Sequence, residues 1–213
     1  MARGKWQGAN GKGKIANGKF KRRDNMTAKK HIRILFIGNS HTYFNNMPYI
    51  VKQNAEREGV STDVTALFRG GWYLCQHEKE IETKFNIKFG GYDYVVLQEH
   101  SHPFDRTEDY FAAAKTLCTM IHQAGGIPVI YATWSEKDNR ANQAHMDSVN
   151  RQIASENDAL LANVGQLWWP EMDRDPSVDL YWDDGRHASI AGSEFAAKII
   201  WKTIRDSLES KAE

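Results

Sequence analysis

The stretch ILFIGNSHT, residues 34–42, joins an apolar strand to a glycine, an asparagine and a serine that follow it directly. A near-continuous apolar run is typical of a strand buried on both faces, as in a parallel sheet covered by helices. In such sheets, ligands bind at the carboxyl ends of the strands. Ser40 is therefore expected where the chemistry of such folds takes place.

A second motif, Asp184-Gly185-Arg186-His187, lies near the end of the chain. A serine hydroxyl is a weak nucleophile at neutral pH, and an imidazole titrates in the right range to take and return its proton. The combination of Ser40 with this motif therefore predicts a hydrolase.

The rest of the chain alternates short apolar runs with longer mixed segments, which predicts helices on both faces of a parallel sheet. We expect one α/β domain, a three-layer α/β/α sandwich with about five parallel strands. Ser189 is expected to cap the last helix, and the Trp168-Trp169-Pro170 run is expected to form a packed corner. The predicted strands are 33–37, 62–67, 94–97, 128–131 and 160–164, and the predicted helices are 48–58, 73–85, 108–124, 139–156 and 190–208.

Polar or glycine-rich clusters follow the first four predicted strands, and the loop 182–187 is expected to return to the same edge of the sheet. Loops that converge on one edge of a rigid sheet are typical of an active site. Polar residues also collect in ordinary loops, and that alternative explains each cluster taken singly. The four clusters are Gly38-Asn39-Ser40, Arg69-Gly70-Gly71, Gln98-Glu99-His100-Ser101 and Thr133-Trp134-Ser135.

In this order, these motifs resemble those of the SGNH, or GDSL-like, hydrolases over about residues 32–205. The resemblance implies a flavodoxin-like α/β/α fold and a serine esterase with an acyl-enzyme intermediate. It implies that Ser40 is the nucleophile and His187 the general base. Asp184 would orient the imidazole and stabilise the imidazolium; Asp183 is adjacent, but the family spacing favours Asp184.

The resemblance also implies an oxyanion hole formed by the amides of Ser40 and a glycine, together with a side-chain amide. Gly71 is the expected glycine, with Gly70 as the alternative. The family pattern after the third strand is Gly-x-Asn-Asp, whereas this chain has Gln98-Glu99-His100-Ser101. Gln98 is the expected side-chain donor, although His100 is nearer the asparagine's position by counting.

Further side chains beside the predicted rim are candidates for substrate binding, since indole faces stack on sugars and pack on acyl chains. Tryptophans in such positions are also common packing residues. No separate lid and no long apolar insertion is evident, which favours a short acyl group, such as an acetyl group on a carbohydrate. The candidates are Asn39, Arg69, Trp72, His100, Trp134 and Trp182.

Two other functions remain open at this point. A histidine cluster around His100 and His102, with His41 and His77 nearby, would suit a metal-dependent hydrolase, but it lacks a compact ligand pattern. A non-catalytic carbohydrate-binding protein could keep the fold without the chemistry, although the intact Ser, His and Asp set argues against it. No cofactor or metal is predicted, and the sequence leaves the oligomeric state open.

The distribution of charge divides the chain into two parts. The 28 Lys and Arg nearly balance 27 Asp and Glu, but residues 1–30 contain ten of the basic residues and one acidic residue. The remainder, 31–213, therefore has a net charge of −8, which argues against nucleic acid as a partner of the predicted domain. The partner expected instead is a small-molecule or carbohydrate ester.

Residues 1–30 are expected to be a disordered basic tail, because they show no apolar periodicity. Residues 1–25 are either an extension ahead of Met26 or a genuine basic arm. The tail has no apolar signal-peptide region, and no stretch of the chain approaches the ~20 apolar residues of a membrane span. The expected location is therefore cytoplasmic, with no membrane partner, unless an export signal has been removed.

Overall fold

The computed structural model describes residues 31–210, so the predicted basic tail lies outside the described residues. The elements, in chain order, are β1 (His31–Gly38), α1 (Ser40–Tyr43), a 3-10 helix (Phe44–Asn46), α2 (Met47–Arg57), β2 (Ser61–Phe68), α3 (Leu74–Lys79), α4 (Ile81–Phe89), β3 (Tyr94–Leu97), α5 (Thr107–Gln123), β4 (Ile127–Ala132), a second 3-10 helix (Arg140–Asn142), α6 (Gln143–Glu156), β5 (Leu160–Asn163), α7 (Val164–Arg174) and α8 (Ile190–Ser210). This is the predicted α/β class.

The five strands form one parallel sheet in the order β2-β1-β3-β4-β5. Ile34 pairs with Val64 of β2 on one side and with Tyr94 of β3 on the other, so β1 is a central strand. Its interior residues are buried, as expected for a strand covered on both faces. Because all strands are parallel, their carboxyl ends meet at one edge, where Ser40 follows β1.

Helices cover the two faces of the sheet and form two hydrophobic cores. One core contains Ile34 and Phe36 of β1 with apolar residues of α2, α7 and α8. The other contains Leu35 and Ile37 of β1 with residues of α3 to α6. Alternate residues of β1 therefore pack into the two cores on opposite faces of the sheet. The three-layer prediction is confirmed.

The structure corrects two helix predictions. The expected helix 73–85 is divided into α3 and α4, because Glu80 between them has an extended backbone with φ −72° and ψ 135°. The expected corner at Trp168–Pro170 is instead inside α7, with both indoles buried.

The amino end of α8 is capped as predicted. The Ser189 hydroxyl accepts a hydrogen bond from the amide of Gly192 at 3.0 Å. Within residues 31–210, no helix combines the length and apolar character needed to cross a membrane.

Candidate active site

The turn after β1 presents Ser40 at the first position of α1. Asn39 caps this short helix: its Oδ1 accepts the amide of His41 at 3.1 Å, and its Nδ2 donates to the carbonyl of Trp72 at 2.9 Å. Gly38 is required by close packing, since a Cβ there would lie 2.5 Å from Thr42 Oγ1. The local sequence Gly-Asn-Ser therefore fixes both the path of the chain and the position of the serine.

The loop that carries Asp184 and His187 is closed by its own backbone. The amide of Trp182 donates to the carbonyl of His187 at 2.8 Å, and the amide of Gly185 donates to the carbonyl of Trp182 at 2.9 Å. Gly185 has φ +67°, a conformation that glycine adopts without strain. This tight turn brings the aspartate and the histidine side by side.

The structure brings Ser40, His187 and Asp184 into one hydrogen-bonded chain. His187 Nε2 lies 2.7 Å from Ser40 Oγ, and His187 Nδ1 lies 2.6 Å from Asp184 Oδ2. Asp183, the adjacent alternative, makes neither contact. An imidazole held between a hydroxyl and a carboxylate in this way can take the serine proton and remain oriented while it does so.

Asp184 is held in its ionised form. Its Oδ1 accepts the amides of Arg186 and His187, each at 2.9 Å. Partial burial alone would raise the pKa of Asp184, but the hydrogen bonds from the His187 ring and from these two amides outweigh that effect and lower the pKa to about 2. A stable negative charge therefore faces His187 at neutral pH.

Two aromatic rings stack on the His187 imidazole. The Phe44 ring lies 4.1 Å from it between centroids, at an interplanar angle of 12°, and the His41 ring lies 4.9 Å from it at 25°. His41 is buried, and burial, followed by the charges of His102 and His187, lowers its pKa well below the usual value. His41 is therefore a neutral ring at neutral pH.

Gln98 has a different environment from the one expected of an oxyanion donor. Its side chain is fully buried, and its Oε1 accepts the amide of Asn39 and the hydroxyl of Thr42, both at 2.8 Å. Its Nε2 donates to the carbonyl of Glu99. The expectation for Gln98 is corrected on this physical ground, because a buried amide that is bonded within the protein is not available to a substrate oxygen.

Two of the substrate-binding candidates are also corrected by their burial. Asn39 is 1% exposed, and its amide group is bonded to the backbone of His41 and Trp72. Trp134 is fully buried, stacks on Trp168 at 3.7 Å between ring centroids, and donates its Nε1–H to the carbonyl of Arg186 at 2.8 Å. Both side chains hold the backbone of the site in place from the protein interior and do not face a substrate.

The glycine segment after β2 is attached to the serine turn by the bond from Asn39 to Trp72. Gly71 is exposed with φ +70°, and in the described part of the chain its amide and that of Ser40 have no hydrogen-bond partner. Arg69 is exposed, forms an ion pair with Glu82 at 2.5 Å, and lies 5.7 Å over the half-buried Trp72 ring.

The remaining two candidates differ in exposure. His100 is half-buried and stacks on Tyr73 at 4.2 Å between centroids. Trp182 is 48% exposed and belongs to the loop of His187. Of these two candidates, Trp182 therefore has the larger fraction of its surface free for a ligand.

The histidines that suggested a metal site are used in other ways. His77 is buried and its Nε2 lies 3.0 Å from the carbonyl of Gly38, while His41 and His102 pack ring to ring at 4.8 Å. Burial lowers the pKa of both His77 and His102 to about 4. Across residues 31–210, no group of three or more His, Cys, Asp and Glu side chains is arranged to hold a metal ion.

Sequence reasoning missed Phe44 and Asn45. Asn45 has φ +51°, and its Nδ2 donates to the carbonyls of Ala188 and Ser189, both at 3.0 Å, and to Ser193 Oγ at 2.9 Å. It thereby joins the serine segment to the histidine loop. The pair Asn45-Asn46 was the available signal, because asparagine tolerates the left-handed conformation better than most residues.

Neither a protein-family model nor a curated protein matches the sequence. Among solved structures, a protein from Slackia heliotrinireducens assigned to the SGNH hydrolases is 30% identical, with 82% of this chain and 100% of that chain covered and a TM-score of 0.68.

Two more distant structures share the fold. A DUF4886 family protein from Bacteroides uniformis is 17% identical, with 82% of this chain and 83% of that chain covered and a TM-score of 0.69. A catalytic mutant of the acetylxylan esterase Axe2 from Geobacillus stearothermophilus is also 17% identical, with 84% and 96% covered and a TM-score of 0.59.

Proposed function

Because the chain belongs to the SGNH hydrolase family, we propose that it is a serine esterase that hydrolyses carboxylic esters through an acyl-enzyme on Ser40. The observation that carries the proposal is the hydrogen-bonded chain from Ser40 through His187 to Asp184, with both contacts at 2.7 Å or less. A carbohydrate-binding protein without activity would have no need of this arrangement.

The proposed reaction has two halves. Ser40 Oγ forms a bond to the ester carbonyl carbon while His187 Nε2 takes its proton, and the bond to the alcohol oxygen then breaks as His187 returns the proton to the leaving alcohol. Water attacks the acyl-enzyme in the same way and releases the acid. Asp184 remains ionised throughout and stabilises the imidazolium.

The oxyanion is proposed to bind the amides of Ser40 and Gly71. Neither amide has a hydrogen-bond partner among residues 31–210, which supports this role, since an amide that is already bonded would have to break that bond first. The link from Asn39 to Trp72 supports it further, because it ties the glycine segment to the serine turn. No side-chain amide is assigned to the oxyanion.

The proposed substrates carry a short acyl group, such as acetyl, on a small molecule or a carbohydrate. The sequence shows no separate lid region and no long apolar insertion, which supports a short acyl group. The exposed indole of Trp182, on the loop of the general base, supports a ring-shaped alcohol such as a sugar, because indole faces stack on sugar rings.

Release of p-nitrophenol from esters with acetyl to decanoyl chains tests the proposal, for wild type and Ser40→Ala, with and without a metal chelator. We expect turnover that the chelator leaves intact, that falls at least about 10³-fold in Ser40→Ala, and that favours short chains. Turnover that survives Ser40→Ala, or that the chelator abolishes, would instead support a metal-dependent reaction. A preference for decanoyl esters would reject the short-acyl part alone.

A further inference from the structure

We propose that Phe44 and His41 are positioning residues for the general base, two rings that clamp the His187 imidazole and favour its protonated form during catalysis. Their rings do not contact each other in the described part of the chain, so they stack on opposite faces of the imidazole, at 4.1 and 4.9 Å. This inference rests on the proposed esterase function and adds a role for residues outside the triad.

The Phe44 ring acts through its negative π face. When His187 takes the serine proton it becomes a cation, and an aromatic face within about 6 Å attracts a cation. The near-parallel ring at 4.1 Å meets that condition.

The His41 ring covers the opposite face and has to remain neutral to help. A protonated His41 would repel the imidazolium at 4.9 Å. His41 is 8% exposed, and its buried Nε2 has no hydrogen-bond partner in the part of the chain that the structure describes. This environment disfavours a charge on His41, so that His187 is the ring that gains the proton.

The chain holds both rings in place through the segment that follows Ser40. His41 is in α1, where its amide is bonded to Asn39 and its carbonyl accepts the Tyr131 hydroxyl at 3.3 Å. Phe44 is followed by Asn45, whose side chain is bonded to the backbone directly after His187. The serine and the two rings that flank its base therefore come from one short segment.

Phe44→Leu tests the role of the aromatic face of Phe44, because leucine keeps an apolar side chain without a π system. We expect kcat to fall about twofold to thirtyfold with little change in KM for p-nitrophenyl acetate, which is the range of a cation–π contact. We expect the acid limb of the kcat/KM profile to move to lower pH by about half a pH unit or more, since a less stabilised imidazolium loses its proton more readily. Phe44→Tyr, which keeps the face, should restore both values.

Titratable and charged groups surround His187 on several elements. They are Asp183, Asp184 and Arg186 from its own loop, His41 from α1, His102 from the loop after β3, and Lys137 and Asp138 from the loop after β4. None of them is altered by Phe44→Leu, so a shift of the acid limb reports the lost ring. His41→Phe should keep the wild-type profile, and His41→Leu should shift it like Phe44→Leu. Loss of activity in His41→Phe equal to that in His41→Leu would show that imidazole chemistry, not the ring face, matters at this position.

An NMR titration of the His187 ring, assigned with His187→Gln, measures the same effect without turnover. A His187 pKa in Phe44→Leu equal to that of wild type would overturn the proposal. Phe85→Leu, the same change at an exposed position of α4, is the control for a general effect of losing a phenyl ring. If wild type has no Ser40-dependent activity, the proposed function fails, while the titration still decides whether the rings favour the cation.

Discussion

At the scale of single residues, the support beneath Ser40 depends on one buried amide. Gln98 accepts hydrogen bonds from the Asn39 amide and the Thr42 hydroxyl, and Gly38 leaves the space for both, since a Cβ there would lie 2.6 Å from Gln98 Oε1. The side-chain Oε1 of Gln98 therefore holds the turn from β1 into α1 against the end of the neighbouring strand β3.

Gln98→Ala is predicted to lower the free energy of unfolding strongly and to have a smaller effect on kcat. It leaves the buried Asn39 amide unpaired and opens a cavity, which together cost about 2–4 kcal/mol in the free energy of unfolding. Urea unfolding followed by tryptophan fluorescence measures this loss. Thr42→Val is the matched control, because it removes one of the two donors and should cost about 1 kcal/mol.

The opposite result would restore an oxyanion role for Gln98. A Gln98→Ala variant with wild-type stability but a kcat lower by about 10²-fold would show that its amide stabilises the transition state.

At the scale of elements, Glu99 connects the end of β3 to the start of α3. Its carboxylate is 6% exposed and accepts the amide of Leu74, the first residue of α3, at 3.2 Å and the amide of His100 at 2.6 Å. Burial raises the pKa of Glu99 to about 7, even though these two amides favour the charged form.

This raised pKa predicts a pH-dependent stability. At Glu99 the folded state binds more protons than the unfolded state between pH ~4.5 and ~7, so the contribution of Glu99 to the free energy of unfolding falls as the pH rises through that window and levels off above it. The loss attributable to Glu99 is on the order of 3 kcal/mol. Wild type alone does not isolate this loss, because the lowered pKa values of His41, His77 and His102 make the protein more stable as the pH rises over part of the same range. The difference between Glu99→Gln and wild type in urea unfolding at pH 5 and pH 8 measures the loss.

Glu99→Gln should remove that loss, because a glutamine keeps an acceptor for the α3 amide and has no proton to release. The free energy of unfolding of Glu99→Gln minus that of wild type is therefore expected to be larger at pH 8 than at pH 5. Asp109→Asn, at an exposed position of α5, is the control for a change in local charge. Identical pH dependence in wild type and Glu99→Gln would contradict the prediction.

Strands and helices with a regular pattern of apolar residues were predictable from the sequence. Elements whose bounds depend on tertiary packing were not. The four residues of β3 agree with the prediction, and the other strands differ by one or two residues at their ends. The break between α3 and α4 at Glu80 could not be read from the sequence, because no Gly or Pro lies there. Pro170 suggested a chain corner, yet the buried Trp168 and Trp169 keep α7 helical through it.

The same distinction applies to the site. Ser40 and His187 were predicted to lie together because strand ends and short loops fix where they are presented, and the structure brings them within 2.7 Å. Gln98 was expected to bind the oxyanion and Trp134 was a candidate for substrate binding, but the direction in which a side chain points just after a strand depends on the packing around it. The contact of Phe44 with His187 depends on two left-handed asparagines, whose conformation the sequence allows but does not require.

At the scale of the whole molecule, the site is assembled from opposite ends of the described chain. Ser40 follows the first strand, and His187 precedes the last helix, with four strands between them. The Asn45 side chain spans this separation through its bonds to Ala188, Ser189 and Ser193. We therefore expect the distance between Ser40 and His187 to depend on this bridge as well as on the sheet.

Two variants at position 45 separate the contributions of the bridge and the backbone. Asn45→Gly removes the side chain but keeps a residue that adopts φ +51° readily, whereas Asn45→Ala also adds backbone strain of about 1–2 kcal/mol. Both should lower kcat on p-nitrophenyl acetate by a similar factor of about 3–10, because each loses hydrogen bonds worth about 1 kcal/mol. Only Asn45→Ala should show the additional loss in urea unfolding. If Asn45→Gly keeps the wild-type kcat, the sheet alone sets the distance between Ser40 and His187, and the asparagine serves only the stability of the fold.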